Sequence, residues 1–208
     1  MEPPAFPSIP VIITRMNWSI PLAALATVLL CGQVHAQAIR APFAVNEYFD
    51  PAGWMGEGSR GALIIKIDDS FTGKPRPGDE DGKCTRISWE PRTASWTGLY
   101  WQSPGGNWGS QPGRAVIGAT RVVFWASGQN GSEVVEFKAG GLRTLSAPYK
   151  DSFAATTGPV RLTTLWRRYE MNLRGQNLTS VIGAFAWIVR KGNNVGTVTF
   201  YLDGIRYE

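Results

Sequence analysis

The sequence predicts an all-β protein built as an antiparallel two-sheet β-sandwich, or jelly roll. Short runs rich in Val, Ile, Thr and aromatic residues recur along the chain, separated by Gly, Pro, Asn and Asp. No stretch shows the sustained 3.6-residue apolar repeat of an amphipathic helix. Strands without helical crossovers pair antiparallel through hairpins and longer loops, so a sandwich is expected. A closed barrel with the same number of strands is the main structural alternative.

Nine strands are predicted from these runs. They cover residues 62–67, 84–89, 97–102, 121–126, 133–139, 160–163, 168–172, 182–189 and 197–207. The segment 182–189 is apolar throughout, which is typical of a central strand buried on both faces.

Alternation of side chains along two of these strands separates a core face from an opposite face. The core positions are predicted to hold Leu99, Trp101, Val135 and Phe137. The opposite positions hold Tyr100, Gln102, Glu136 and Lys138. If the two strands are neighbours, these four side chains form one surface that mixes an aromatic ring with polar and charged groups.

The N-terminal region has the pattern of a cleaved signal peptide. The apolar run 20–30 follows Arg15 and precedes small residues at 34, 36 and 38, which fit a cleavage site. This run is shorter than the roughly 20 residues needed to cross a bilayer, so cleavage is predicted rather than membrane anchoring. Met16 is an alternative start of the chain, because the Pro-rich stretch before it resembles no targeting element.

The predicted organisation therefore has three parts. Residues 1–36 are the signal peptide, 37–47 a short N-terminal segment, and 48–208 a single β-sandwich domain. The mature chain is expected to be secreted or periplasmic and to have no membrane span.

Loss of the signal peptide removes His35, the one histidine of the sequence, and leaves Cys84 as the one cysteine. The mature chain then forms no intramolecular disulfide, no His-based catalytic triad and no zinc site with imidazole ligands. The formal net charge is +5, and the basic residues are scattered rather than gathered in a stripe. Nucleic-acid binding is therefore not expected.

The aromatic and glycine-rich block GLYWQSPGGNWGSQPG, residues 98–113, predicts a strand followed by a ligand-contacting loop. Sugar rings stack their C–H faces on Trp and Tyr, while sugar hydroxyls pair with amide and charged side chains. In the loop, Trp108 and Asn107 offer this combination and are expected to face a ligand. Trp54, in PAGWMGEG, is a weaker candidate of the same kind. The tryptophans expected in the core are Trp101 and Trp125.

Four stretches carry a resemblance to a known class of domains: WTGLYWQSPGGNWG, VVFWASGQNGSEVVEFKAGG, VIGAFAWIV and the closing TFYLDGIRYE. Together they resemble secreted bacterial domains of the galactose-binding-like jelly-roll type, to which carbohydrate-binding modules of cellulases belong. The resemblance covers roughly residues 48–208. It implies a two-sheet sandwich with one concave face, non-catalytic binding of a polysaccharide or oligosaccharide, and often a structural calcium ion.

Acidic residues near both ends of this region are candidates for binding that ion. Asp50, Glu57 and Asp203 would come together if the first and last strands pair. Calcium takes about six to eight oxygen ligands, with carboxylates and backbone carbonyls mixed. The chain has no EF-hand loop, so the calcium prediction depends on the resemblance.

Two other functions stay open beside carbohydrate binding. A glycoside hydrolase or polysaccharide lyase would need paired carboxylates, for which Glu136 with Glu90 or Glu170 are the candidates. A structural or surface protein would instead bind other proteins through edge strands or an apolar patch. The sequence places no carboxylate pair at a catalytic distance, so non-catalytic carbohydrate binding is the predicted function, and no catalytic residue is assigned.

Overall fold

Two antiparallel sheets pack face to face in the computed structural model, which describes residues 38–57, 65–79 and 81–208. The strands are β1 (Ile39–Arg40), β2 (Phe43–Ala44), β3 (Asp50–Gly56), β4 (Ile65–Phe71), β5 (Cys84–Trp89), β6 (Trp96–Gln102), β7 (Val116–Ile117), β8 (Arg121–Gly128), β9 (Val134–Gly140), β10 (Ala154–Arg161), β11 (Arg167–Asn172), β12 (Gly183–Arg190) and β13 (Val198–Tyr207). Two short 3₁₀ segments, Val45–Glu47 and Lys191–Asn193, are the helical elements of these ranges. The predicted all-β fold class is confirmed. No helix in the described part of the chain has the length and apolar composition to cross a membrane.

The strand order explains which sequence segments share a sheet. The five-stranded sheet has the order β10-β9-β12-β6-β3, and the larger sheet has the order β11-β8-β13-β5-β4, with β2 beside β13. All pairs within these two sheets are antiparallel. The short strands β1 and β7 form a separate parallel pair. Strand β12, predicted to be central, lies between β9 and β6, and its residues 183–189 are buried.

The predicted N-terminal segment 37–47 contributes to the sandwich. Strand β1 pairs with β7, and β2 pairs with the end of β13. Phe43 of β2 stacks on Tyr207 of β13 with ring centroids 5.1 Å apart. The sandwich therefore includes residues before the predicted boundary at 48. The predicted signal peptide 1–36, with the alternative start at Met16, lies outside the described residues.

Two strands differ from the prediction because they contain Pro and Gly. Strand β3 was not predicted, since Pro51 and Gly53 are typical of turns; at the sheet edge they are accommodated by a register shift. Strand β10 starts earlier than predicted, because Gly158, at a φ of 64°, and Pro159 form a bulge inside it rather than a strand end. Residues 62–64 of the first predicted strand lie outside the described ranges.

The inner faces of the two sheets meet in an aromatic core. Phe124 of β8 and Phe137 of β9 face each other with ring centroids 4.6 Å apart. Trp187 of β12 packs edge-on against Phe200 of β13 at 5.4 Å. The four core positions predicted from strand alternation are buried: Leu99, Trp101, Val135 and Phe137. Truncating a buried aromatic residue to Ala typically costs about 3–5 kcal/mol, so these contacts fix the two sheets against each other.

The core prediction is confirmed for Trp101 and wrong for Trp125. Because Phe124 points inward, strand alternation places Trp125 on the outer face of the larger sheet, opposite Asp203 of β13. The Arg76 guanidinium lies over the Trp125 ring at 5.3 Å and forms an ion pair with Asp203. The loop between β4 and β5 therefore covers Trp125, which accounts for its partial burial.

Candidate functional site

Tyr100 and Lys138 lie in one transverse row on the outer face of the five-stranded sheet. Ala186 of β12 pairs with Tyr100 of β6 on one side and with Lys138 of β9 on the other. Neighbouring strands are about 4.8 Å apart, so roughly 10 Å separates the two backbone positions. The structure thus places the predicted residues of both strands on the same face, with β12 between them.

Glu136 is the centre of a polar network on this face. Its carboxylate accepts a hydrogen bond from Thr156 Oγ1 at 3.1 Å and lies 3.3 Å from Lys138 Nζ. The guanidinium of Arg190 lies 3.7 Å from the second carboxylate oxygen. The Glu136 side chain is 16% exposed, whereas its two cationic neighbours reach further into solvent. Glu136 therefore holds the charged ends of Lys138 and Arg190 in place on the surface.

Trp96 and Arg190 extend this face at one end, and the sequence prediction did not include them. They are directly paired across β6 and β12, and the Arg190 guanidinium lies 5.8 Å from the centroid of the Trp96 ring. The predicted strand 97–102 begins one residue after Trp96, and the predicted strand 182–189 ends one residue before Arg190. The signal that identifies Trp96 is its spacing of four from Tyr100, which gives both rings the same face of one strand.

Tyr100 is buried on this face and supports the loop that follows β6. Its hydroxyl donates a hydrogen bond to the carbonyl oxygen of Gly140 at 2.9 Å. Burial raises the pKa of the Tyr100 phenol, and the nearby carboxylates of Asp151 and Glu136 raise it further. The ring meets the Trp108 indole edge to face at 6.3 Å between centroids. Tyr100 therefore contributes a supporting contact rather than an exposed stacking surface.

Trp108 is exposed by 38%, while its neighbour Asn107 is buried. The Asn107 side-chain oxygen accepts backbone N–H groups of Gly109 and Gln111, at 2.9 and 3.2 Å. Its amide nitrogen donates to the carbonyl oxygens of Ser103 and Gln111. These bonds satisfy the Asn107 amide within the loop, as Asn side chains commonly do in turns. Asn107 thus shapes the loop that presents Trp108, although the sequence suggested that it faces a ligand.

A second loop, residues 141–151, packs beside Trp108. The Tyr149 N–H donates to the Gly109 carbonyl oxygen at 3.1 Å, and the Tyr149 side chain is 42% exposed. Gly109 has a φ of 99°, and a Cβ there would lie 2.4 Å from the Tyr149 carbonyl oxygen. The contact therefore requires glycine at this position. Tyr149 gives the site a second exposed ring, which no local sequence pattern indicated.

Asp151 connects that loop to the start of β12. Its carboxylate accepts the backbone N–H of Leu142 at 2.8 Å and those of Ile182 and Gly183. Burial raises the pKa of the Asp151 carboxyl to about 6, although the three backbone N–H donors act to lower this pKa. The buried Asp151 side chain therefore ties both ends of the loop that carries Tyr149 to the start of β12.

Gln102 lies on the predicted face but is completely buried. Its amide lies against Gly53 of the neighbouring strand, where a Cβ would be 2.5 Å from the amide carbon. Neither the amide oxygen nor the amide nitrogen has a hydrogen-bond partner among the described residues. Such a group is rare in a folded protein and costs stability. In this arrangement Gln102 offers no accessible surface to a ligand.

Trp54 is as exposed as Trp108, at 42%, but belongs to another surface. It is paired with Leu99, whose side chain is in the core, so it points to the inner side of the sheet. Because β3 is the edge strand, the indole emerges at the open edge of the sandwich. The structure therefore separates Trp54 from the other predicted binding residues.

The three predicted calcium ligands lie apart. Asp50 and Glu57 flank opposite ends of β3, and Asp203 belongs to the other sheet. The Glu57 carboxylate accepts hydrogen bonds from the Ser95 hydroxyl and backbone N–H, which lower its pKa. Across the described ranges, no group of three or more His, Cys, Asp or Glu side chains is placed to hold a metal ion. The joint site expected from pairing of the first and last strands is therefore not formed.

The carboxylates considered for catalysis are also separated. Glu136 lies on the outer face of the five-stranded sheet, whereas Glu170 lies on β11 of the larger sheet, near Arg121 at 3.8 Å. Glu90 follows β5 of the larger sheet and pairs with Arg92. Neither arrangement provides two carboxylates flanking one substrate bond at the separation that glycosidases use.

No protein-family model matches the chain, and no curated protein matches it. Among similar solved structures is a family 11 carbohydrate-binding module from Clostridium thermocellum in complex with a β-1,3-1,4-mixed-linked tetrasaccharide. It is 14% identical over 74% of this chain and 88% of its own, with a TM-score of 0.43. A family 30 carbohydrate-binding module is 14% identical over 81% of this chain and 98% of its own, with a TM-score of 0.49. An arabinose-bound α-L-arabinofuranosidase is similar over 80% of this chain and 26% of its own, at 14% identity and a TM-score of 0.45.

Proposed function

We propose that this chain is an exported domain that binds a polysaccharide or oligosaccharide without catalysing its cleavage. The observation that carries the proposal is the arrangement of the outer face of the five-stranded sheet. Exposed Trp108 lies at one end, the paired Trp96 and Arg190 lie at the other, and the network around Glu136 lies between them. A saccharide needs this alternation of apolar ring surface and hydrogen-bonding groups.

The proposed surface runs along β6. Trp96 lies six positions before the strand end at Gln102, which corresponds to roughly 20 Å at about 3.3 Å per residue. The Trp108 loop follows directly after this strand, so the two indoles stand at opposite ends of the face. A length of this size suits several linked sugars rather than a single ring.

The contacts and positions of the glutamate carboxylates agree with binding without catalysis. Glu136 is engaged by Lys138, Thr156 and Arg190, and neither Glu90 nor Glu170 faces it. Export is supported by the signal-peptide pattern of residues 1–36. The proposed setting is thus outside the cytoplasm, where polysaccharides are encountered.

Two variants with equally exposed tryptophans test the proposal. The full chain, Trp108→Ala and Trp54→Ala are compared for retention in native gels that contain soluble polysaccharides, with and without a chelator. We expect Trp108→Ala to lose retention and Trp54→Ala to keep it, because only Trp108 belongs to the proposed face. A reducing-sugar assay on the same mixtures should detect no release of chain ends. Equal retention of all three proteins, or release of reducing ends by the wild-type chain, would contradict the proposal.

A further inference from the structure

One end of the outer face of the five-stranded sheet carries two arginines in the same transverse row. Arg161 of β10 is paired with Val134 of β9. On the other side of Val134, the last pair between β9 and β12 is Val135 with Val189. Beyond it, the Asn194 side-chain amide bonds both backbone groups of Val134 and donates to the carbonyl oxygen of Arg190. At least two strand spacings, roughly 10 Å, therefore separate the two arginine backbones, and Trp96 is paired with Arg190 on its other side.

Each guanidinium is positioned, and each keeps donors directed to solvent. Arg190 lies over the Trp96 ring and near Glu136, with 48% of its side chain exposed. Arg161 donates one hydrogen bond to the Ser132 carbonyl oxygen at 3.1 Å. It forms no ion pair with a carboxylate of the described residues. A guanidinium has five N–H donors, so most of those on Arg161 remain available.

A depression of about 500 Å³ lies beside Arg161 on this face. Val134 and Pro159 provide its apolar lining, and the turn at Gly192 and Asn193 forms the opposite border. Val134 and Pro159 offer a small apolar contact for the C–H face of a sugar ring, and the more extensive polar lining, including the Asn193 amide, suits its hydroxyls. The free donors of Arg161 at the border select a planar, negatively charged oxygen group.

Carboxylates of the chain near this end already have donors of their own. Glu57 accepts from Ser95, and Glu133 accepts the backbone N–H groups of residues 130, 131 and 132. Glu136 is shared between Lys138 and Arg190. Neither arginine thus has a carboxylate partner of its own. Both can therefore pair with an anion from outside.

We propose that the ligand of this face is an acidic polysaccharide, and that Arg161 and Arg190 bind the carboxylates of its uronate residues. This inference rests on the proposed function, because it names the class of saccharide that the same face accepts. The planar guanidinium matches a carboxylate in a bidentate pair, whereas a neutral hydroxymethyl group at the same sugar carbon offers only one oxygen.

Polyuronates and their carboxyl-reduced counterparts provide the direct test. Polygalacturonate and alginate are each compared with the same polymer after its carboxylates have been reduced to primary alcohols. We expect the full chain to bind at least one polyuronate about tenfold more tightly than its reduced form. One charge-assisted hydrogen-bond pair accounts for a difference in affinity of this size. This preference should decrease as salt rises, because partly exposed charges are screened.

Substitutions locate the effect. Arg161→Gln should remove most of the preference while leaving binding of the reduced polymer unchanged. Arg190→Gln should also remove most of the preference, but it should weaken binding of the reduced polymer as well, because Arg190 packs over Trp96 on the proposed face. Arg206→Gln, an equal charge change at an exposed position of β13, is the matched control and should keep the preference. Arg161→Gln does not touch Glu136, so it remains informative if Arg190→Gln lowers stability.

Four outcomes overturn the inference. Binding to neutral polysaccharides with no preference for any polyuronate would reject it and leave the proposed function intact. Equal loss in Arg206→Gln would reject it in favour of unspecific attraction by the net charge. A preference for sulfated over uronate polymers would assign the arginines to sulfate instead. Failure to bind any saccharide, neutral or acidic, would reject the inference and the proposed function together.

Discussion

Tyr100 and Trp108 meet edge to face, with ring centroids 6.3 Å apart and ring planes at 88°. The Tyr100 ring is buried on the sheet, and the Trp108 ring emerges above it into solvent. Aromatic pairs in this geometry contribute about 0.5–1.5 kcal/mol beyond their buried area. The sheet therefore fixes the orientation of a loop residue through one aromatic contact.

Substitutions at Tyr100 separate its hydroxyl from its ring. Tyr100→Phe removes the donor to the Gly140 carbonyl oxygen, so we expect a loss of about 1 kcal/mol in unfolding free energy and unchanged saccharide binding. Tyr100→Ala removes the support of Trp108 as well and should weaken binding in addition to stability. Urea unfolding and gel retention measure the two effects. Equal binding by Tyr100→Ala and the wild-type chain would show that Trp108 needs no support from this ring.

Asn107 is expected to act through the shape of its loop. Asn107→Ala removes the side-chain bonds to Ser103, Gly109 and Gln111, so we expect a loss on the order of 1–3 kcal/mol in unfolding free energy. Binding should weaken because Trp108 is no longer held in one orientation. Asn193→Ala, at an exposed turn position, is the stability control. The loop is checked by the tryptophan fluorescence anisotropy that is lost in Trp108→Ala, compared between the wild-type chain and Asn107→Ala. An unchanged stability would argue that Asn107 contacts ligand instead.

Much of the fold follows from local pattern, because burial on a strand alternates with a period of two. Strand β5 has the predicted bounds, and the inward positions of Leu99 and Phe137 agree with the structure. Strands β3 and β10 were missed or shortened, since Pro and Gly carry the same local signal in a turn and in an edge bulge.

The site was less predictable, because access to solvent depends on residues distant in sequence. Alternation correctly assigns Tyr100 and Gln102 to the outer face, yet both are buried there. Tyr149 reaches the site through a loop whose position depends on the buried carboxylate of Asp151. Arg190 follows a continuous apolar strand, so only the register between β12 and β6 reveals that it pairs with Trp96.

Gln102 is expected to reduce stability in the free protein. Its buried amide has no hydrogen-bond partner among the described residues, and Met has nearly the same shape without the polar atoms. We therefore expect Gln102→Met to raise the unfolding free energy by about 1 kcal/mol, as removal of an unsatisfied buried polar group does. Urea unfolding measures this, and gel retention should be unchanged. A loss of retention together with a gain in stability would assign Gln102 a role in binding after all.

The buried carboxyl of Asp151 predicts a definite pH dependence of stability. Its pKa is raised to about 6 in the folded chain from a reference value of 3.8, so the folded state binds this proton more tightly than the unfolded state. Asp151 therefore makes its full contribution to the unfolding free energy at pH values below the reference pKa of 3.8. This contribution is lost as pH rises through about 6, by at most about 3 kcal/mol. The Asp151→Asn variant has no titrating group at this position. Urea unfolding of both proteins from about pH 4 to about pH 7 should show the wild-type chain losing stability relative to the variant. A relative gain over this range would mean that the donors from Leu142, Ile182 and Gly183 outweigh burial and hold the carboxylate in its charged form.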